Sequence, residues 1–280
     1  MNRFLLIENK AFFNRHGVHT VSPYKAKFTV PHRNAIIFFG DHHRELRVKT
    51  NKLGQAYLRD VLNRLAAMPY KYAIIMCKSD KSFPRLSLPP NVVHVFATNV
   101  TYPIDKVRFL PMGCDFRSLA SYRDADILNT KRDILCYCNF SLDTHPVRQK
   151  IYDILKHKPF VTSENMQTFG DYSISRDEFF ERLGRSKFVV CPRGAGIDTF
   201  RFYDAIYAGA IPIVVRVPFH NTHHFEGVPV LYLDSPDGFE DLTEEYLNEQ
   251  YTVLSCHRKR VYKGLDFGAF MRTLKQELGL

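Results

Sequence analysis

Two arginines, Arg193 and Arg201, flank the stretch Gly194-Ala-Gly196. Residues of this type at this spacing suit one chemistry above others: holding a phosphate or diphosphate, and stabilising the negative charge that grows on it when a bond to it breaks. A guanidinium fork pairs with phosphate oxygens bidentately, which an ammonium does not. The glycines let the backbone turn sharply and approach a ligand closely. Asp198 and Thr199 are the candidates to cap a following helix, whose first turn would add unpaired N–H groups and the positive end of a dipole. Arg201 falls in that first turn, where its charge opposes the dipole, and an anion lying between the two removes the conflict. Asp204, on the same helix face, can accept hydrogen bonds from a ribose diol. The plain alternative is that Arg201 and Asp204 form a surface ion pair and the glycines only shape a turn.

The elements that must position these residues are legible around them. Residues 187–191 and 211–215 are short β-branched runs of the kind that form buried parallel strands. Between them Phe200, Tyr203, Ile206 and Tyr207 recur at helical spacing and predict the buried stripe of one helix, ended by Gly209. The unit is therefore βαβ. Other phosphate motifs do not fit, since no third glycine completes G-x-G-x-x-G and no G-x-x-x-x-G-K-[ST] occurs. Asp124-Ala-Asp126 has the spacing of a metal-ligand pair, but the polar residues before it predict an exposed linker and not the end of a buried strand. His42-His43 and His223-His224 are matched to no cysteine or carboxylate at zinc spacing. No metal and no other cofactor is expected.

Upstream, apolar runs at 35–39, 72–76, 92–96 and 106–110, with Tyr57, Val61, Leu62 and Leu65 at helical spacing between the first two, predict an N-terminal α/β domain over 1–120. The polar segment 121–132 reads as a linker. Strands resume at 134–138, opening a second α/β domain over 133–280, with a helix over 146–155 and another that opens at the capping box Ser175-x-x-Glu178 and closes at Gly184. Charged, helical stretches follow within 243–280, the last of them predicted to pack back on the first domain. Open α/β sheets bind ligands at the carboxyl ends of their strands. Asp41 and Asp80 follow two of the N-terminal runs and are the candidate general bases, with helix-cap or turn roles as the alternative for each. Asn99 follows a third.

The chain of 280 residues is 45% hydrophobic, enough for two moderate cores. Its formal charge of +10 and isoelectric point near 9.3 call for an acidic partner: nucleic acid, an anionic membrane surface or a nucleoside diphosphate. Basic residues are scattered, apart from Cys256-His-Arg-Lys-Arg260, with no zinc-finger or RNA-recognition motif, which argues against nucleic acid. No run reaches transmembrane length and the N-terminal apolar run is too short for a signal peptide, so the expected location is soluble and cytoplasmic. The six cysteines read as reduced core thiols.

Cys191-Pro-Arg-Gly-Ala-Gly-Ile-Asp198, continued by Arg201, Asp204-Ala205 and Gly209-Ala-Ile-Pro-Ile213, resembles the C-terminal signature of the exostosin-like glycosyltransferases. Asn139-Phe-Ser141 with Thr144-His-Pro-Val-Arg148 resembles the segment that opens the donor domain there, and Leu110-Pro-Met-Gly-Cys-Asp115 resembles the crossover between domains. Together these cover most of residues 70–215. The chain departs from the pattern at Asp204, where glutamate is usual, and in being shorter than the cellular exostosins and without their anchor, which points to a compact viral or bacterial-type member. The resemblance implies a GT-B fold, two facing Rossmann-like α/β domains with an interdomain cleft. It implies donor binding by Arg148, Arg193, Gly194, Gly196, Asp198, Thr199, Arg201, Asp204 and His145. It further implies inverting, metal-independent transfer from a nucleotide sugar, UDP-xylose first among the UDP-sugars, to a glycan hydroxyl; the proton would go to Asp41 or Asp80, which are candidates by their place after the apolar runs and lie outside the matched segments. A reading from another class makes the chain a basic, non-catalytic protein that binds nucleic acid or a polyanionic glycan through the same arginines.

Overall fold

The computed structural model describes residues 19–21, 30–39, 51–76, 80, 83–113, 130–164, 168, 170, 174–221, 225–256 and 267–280. Asp41, Asp124, Asp126 and the two histidine pairs lie outside the described residues. The chain divides into two compact units, one of Arg3–Met112 with Leu265–Leu280, the other of Gly113–Gly264. The strands are β1 (His19–Val21), β2 (Ala35–Phe39), β3 (Tyr72–Met76), β4 (Val92–Ala97) and β5 (Val107–Phe109) in the first unit, then β6 (Ile134–Cys138), β7 (Val161–Ser163), β8 (Ser186–Val190), β9 (Ile211–Val215) and β10 (Leu231–Leu233) in the second. The α-helices are α1 (Asn51–Ala66), α2 (Pro146–Leu155), α3 (Arg176–Arg185), α4 (Phe200–Tyr207), α5 (Glu244–Ser255) and α6 (Phe267–Leu278).

In the first unit the five strands pair in parallel in the order β1-β2-β3-β4-β5. Ile37, Ile74 and Val95 face one way and pack with Leu58, Val61, Leu62 and Leu65 of α1. The alternate positions Ile36, Phe38, Ala73, Ile75 and Phe96 pack with Met271, Leu274 and Leu278 of α6. A strand covered on both faces has no polar side to show, which is why these runs are continuously apolar. Asn34 Nδ2 donates to the Leu278 carbonyl (2.7 Å) and fixes the end of α6 beside the start of β2.

The second unit also holds a five-stranded parallel sheet, but in the order β10-β9-β8-β6-β7. The chain leaves β6 for β7 on one side, returns to β8 on the other, and continues outward to β9 and β10. The carboxyl ends of β6 and β8 therefore form a topological switch point, where the departing connections diverge and open a crevice. Arg132, at the end of the expected linker, is anchored in this unit by donating to the carbonyls of Ser186 (2.5 Å) and Ala208 (2.8 Å).

Several expectations need correction. The helix opened by the Ser175 capping box runs through Gly184 to Arg185, and the Ser186 hydroxyl closes it by donating to the Arg182 carbonyl (2.6 Å). On α4 the buried residues are Phe202, Tyr203, Asp204 and Ala205, whereas Phe200 is exposed. Phe202 turns inward because His220 and Phe225 pack against its ring, and that contact rotates the buried face away from the stripe the spacing predicts. Gly209 does end the helix, at φ +69°. Cys136, Cys138 and Cys191 are buried free thiols, but Cys256 is exposed. Among the described residues no helix is long and apolar enough to cross a membrane.

Candidate functional site

The site lies in the second unit, on the two loops that leave the switch point. Beyond β6 the chain passes Asn139-Phe-Ser141 and enters α2, whose N-cap is His145. Its Nδ1 accepts the Val147 N–H (3.1 Å), and Pro146 needs no partner for a missing N–H. Beyond β8 the chain passes Cys191-Pro-Arg-Gly, tightens through a Gly194 N–H to Gly196 carbonyl bond (3.0 Å), and enters α4 at Thr199, which caps it without a side-chain hydrogen bond. Two helix N-termini thus start from the same sheet edge, each a source of positive potential.

Arg148 joins the two loops. It is only 8% exposed, and its fork is spent largely on backbone: Nε donates to the Arg193 carbonyl (2.8 Å), Nη1 to Ser141 (3.0 Å) and Nη2 to Pro192 (3.3 Å). The Phe140 ring lies 5.5 Å from its guanidinium carbon. Burial, and after it the charge of Arg201, pushes its pKa down to about 10, so it stays cationic near neutrality. The sequence reading made Arg148 a direct donor ligand. The structure shows a buried tie that shapes the turn and leaves the remaining N–H groups of its fork for a ligand. Gly194 suits the place beside it, because a Cβ there would sit 3.0 Å from Nη2 and the fork would have to give way.

Arg193 is exposed, and among the described residues its hydrogen bonds are long ones to the carbonyls of Gly194 (3.3 Å) and Ala195 (3.4 Å). Arg201 lies over the Phe179 ring at 5.1 Å, and its Nη1 is buried without a hydrogen-bond partner. The positive charges of Arg148, Arg193 and Arg201 act on one neighbourhood. Arg201 lowers the pKa of Arg148, and Arg193 and Arg148, after burial, hold His145 below its ordinary value. Gathered like charges and an orphaned donor both raise the free energy of the empty site, and an anion relieves both.

Asp198 does not cap α4; it is buried and accepts the Tyr203 hydroxyl (3.0 Å). Asp204 is on the buried side of α4, which excludes the surface ion pair that was the plain alternative. Asp80 is exposed, in the first unit. Among the described residues no group of three or more His, Cys, Asp or Glu is placed to hold a metal ion.

A cavity of about 260 Å³ adjoins the turn. His145, Arg193, Asp198 and Thr199 line it, as do Phe202, Val214, Phe219 and His220. Gly194, Gly196, Arg201 and Asp204 are not among its lining residues. His220 is a site residue that sequence reasoning missed. It is buried, its Nδ1 accepts the Val217 N–H (3.2 Å), and burial with the nearby Arg216 charge lowers its pKa to about 4. The only signal in the sequence is an aromatic-rich turn, Pro218-Phe-His220, with no periodicity to single the histidine out.

A model of the exostosin GT47 domain matches residues 68–228, more than half of the chain. No sequence among the curated proteins matches. Among solved structures, an α1,3-fucosyltransferase with GDP-fucose is 14% identical, with 90% of this chain and 87% of that one covered at a TM-score of 0.45. T4 phage β-glucosyltransferase is 9% identical, with 88% and 82% covered at a TM-score of 0.37. A glycosyltransferase involved in avilamycin A biosynthesis is 12% identical, with 86% and 84% covered at a TM-score of 0.35. These likenesses are too loose to carry a residue's role from one chain to another.

Proposed function

The chain belongs to the exostosin GT47 family, and from that premise we propose that this glycosyltransferase holds a nucleoside diphosphate sugar at the β8–α4 turn and transfers the sugar to a glycan hydroxyl with inversion and without a metal. The observation that carries the reading is the gathering of Arg148, Arg193 and Arg201 around a glycine turn at the switch point, with Arg201 Nη1 buried and unpaired.

In this reading the acceptor oxygen attacks the anomeric carbon from the face opposite the diphosphate. The bond from that carbon to the phosphate oxygen breaks, and its electron pair leaves with the diphosphate. Arg201 and Arg193 receive the charge that develops there, with the N-termini of α2 and α4 adding fixed dipoles. Arg148 positions the turn and adds what is left of its fork. His145, neutral and with Nδ1 engaged, presents an Nε2–H donor to the same anion. Asp198 and Thr199 border the donor, and Asp204 is assigned the ribose. The acceptor proton passes to Asp41 or Asp80. Among donors a UDP-sugar is favoured, with UDP-xylose first.

Arg201→Ala should lower kcat by roughly 10²–10³ while leaving the melting temperature near that of the parent, because it removes one pre-positioned donor to a developing anion. Retained turnover would take Arg201 out of the diphosphate site. Thermal shift with UDP and GDP should show saturable stabilisation by at least one of them, and response to neither would sink the enzyme reading in favour of a non-catalytic polyanion binder.

A further inference from the structure

The donor reading accounts for the arginines but not for His220, and its surroundings are unusual for a buried polar ring. The imidazole is 8% exposed and stacks on Phe202 (centroids 5.7 Å, planes 27° apart). Phe219, at 4.4 Å, meets it edge-on, and Tyr232 lies at 5.2 Å. The Val217 N–H occupies Nδ1, so in the neutral ring the proton resides on Nε2. That Nε2–H has no hydrogen-bond partner among the described residues, and the ring lines the cavity beside the glycine turn. Nε2 is not one of the fully buried unpaired atoms of the described residues, so this donor is open to the cavity, where water or a ligand can satisfy it.

We propose that His220 is the base-reading residue of the donor site: the cavity takes the nucleobase, and Nε2–H donates to a ring carbonyl oxygen, so that a base with a carbonyl at that edge is selected over its amino counterpart. The inference rests on the nucleotide reading above and deepens it. The aromatic wall supplies a flat, apolar slot in which any base is welcome. The single fixed donor supplies the discrimination, because uracil and guanine offer an oxygen where cytosine and adenine offer an N–H that would face another N–H. The ring remains neutral, hence of fixed tautomer, across the physiological range. A site built to pair with one group rejects an analogue lacking it more strongly than an apolar pocket rejects a change of shape.

Calorimetric titration of the whole chain with pyrophosphate, UDP, CDP, GDP and ADP tests this. The parent protein should bind UDP over CDP, or GDP over ADP, by about tenfold or more, the scale of one hydrogen bond with its unsatisfied alternative. His220→Phe keeps the ring stack and removes the donor. It should reduce that preference to within about twofold and leave pyrophosphate binding unchanged. His220→Gln, whose amide N–H reaches the place of Nε2, should keep the preference. Equal affinity of the parent for carbonyl and amino bases would overturn the assignment, as would a preference that survives in His220→Phe. If His220→Phe fails to fold, the parent's ratio and that of His220→Gln decide. Pyrophosphate binding with no gain from any nucleoside would overturn the base pocket alone, whereas binding of neither pyrophosphate nor nucleotide would overturn the donor site with it.

Discussion

The two sheets have the same number of strands, all parallel, built from the same short β-branched runs, yet only one has a switch point. In the first unit successive strands are added in order, and the faces of the sheet are closed by α1 and α6. Among the described residues its carboxyl edge carries a left-handed residue. Asn99, just beyond β4, is buried at φ +55°, a conformation asparagine tolerates better than other residues with a side chain. In the second unit the order reverses between β6 and β8, and the loops that diverge there carry the arginines. Strand composition decides that a parallel sheet forms; strand order decides where its edge opens for a ligand.

The hardest test of that contrast is Arg148→Ala. Three carbonyls lose their donor and a buried cation disappears from between the loops. The expected result is destabilisation of the second unit by about 3–5 kcal/mol and loss of nucleotide-dependent thermal stabilisation. Arg148→Lys should recover little, because an ammonium cannot span three carbonyls in one plane. Denaturant unfolding followed beside a UDP titration reads both effects. Loss of binding with stability intact would mean that Arg148 is a ligand contact and that the loops hold their shape without it.

Leu274→Ala sharpens the contrast from the other side. Leu274 is 2% exposed on α6 and belongs to the cluster that closes the second face of the first sheet. Truncation should cost about 2–4 kcal/mol. The dissociation constant for UDP, measured well below the unfolding transition, should not change. A tenfold weakening would show that the nucleotide depends on the sheet without a switch point.

The apolar runs revealed β2, β3, β6 and β9 because strands buried on both faces leave an unbroken hydrophobic signature. The three-residue strands β1, β7 and β10 escaped notice because so short a segment has no period to detect, whereas β5, equally short, lies inside the longer run 106–110. The arginines were legible because type and spacing to the glycines suffice to suggest an anion. The role of Arg148 was not, since its partners are carbonyls 44, 45 and 7 residues away, which no local pattern encodes. His220 was hidden for the same reason, its meaning residing in the Phe202 ring it stacks on. Of the two cap candidates Thr199 holds the N-cap position, while Asp198 accepts the Tyr203 hydroxyl, a pairing that no local pattern encodes.

A smaller effect should appear with pH. The pKa of His220 falls from an ordinary 6.5 to about 4 in the folded chain, through burial first and Arg216 second. Below pH 6.5 the unfolded chain takes up a proton that the folded chain refuses, so the contribution of this group is complete above that pH and is lost as the pH falls toward 4. At pH 5 the expected loss is about 2 kcal/mol, read as a falling melting temperature of the second unit. His220→Phe should flatten that slope. An unchanged slope would assign the acid sensitivity to other groups and leave the aromatic slot without a buried neutral imidazole.

The finest test is a single methyl group. At Gly194 an added Cβ meets Arg148 Nη2 at 3.0 Å, with Arg148 Cζ and Thr144 Oγ1 at 3.5 Å. The end of a free side chain would swing away at little cost, but this fork is pinned by three carbonyls. Gly194→Ala should therefore cost about 1 kcal/mol or somewhat more, and should weaken nucleotide binding by displacing the turn. Gly184, in α3, has nothing within 4 Å of its added Cβ. There the same methyl should stabilise by about 0.5–1 kcal/mol through helix propensity and a less flexible unfolded chain. Opposite signs for the two substitutions in parallel chemical unfolding would show that the switch-point loop is held as tightly as its hydrogen bonds indicate. If Gly194→Ala is as benign as Gly184→Ala, Arg148 is free to move, and the rigid edge that distinguishes the second sheet from the first disappears.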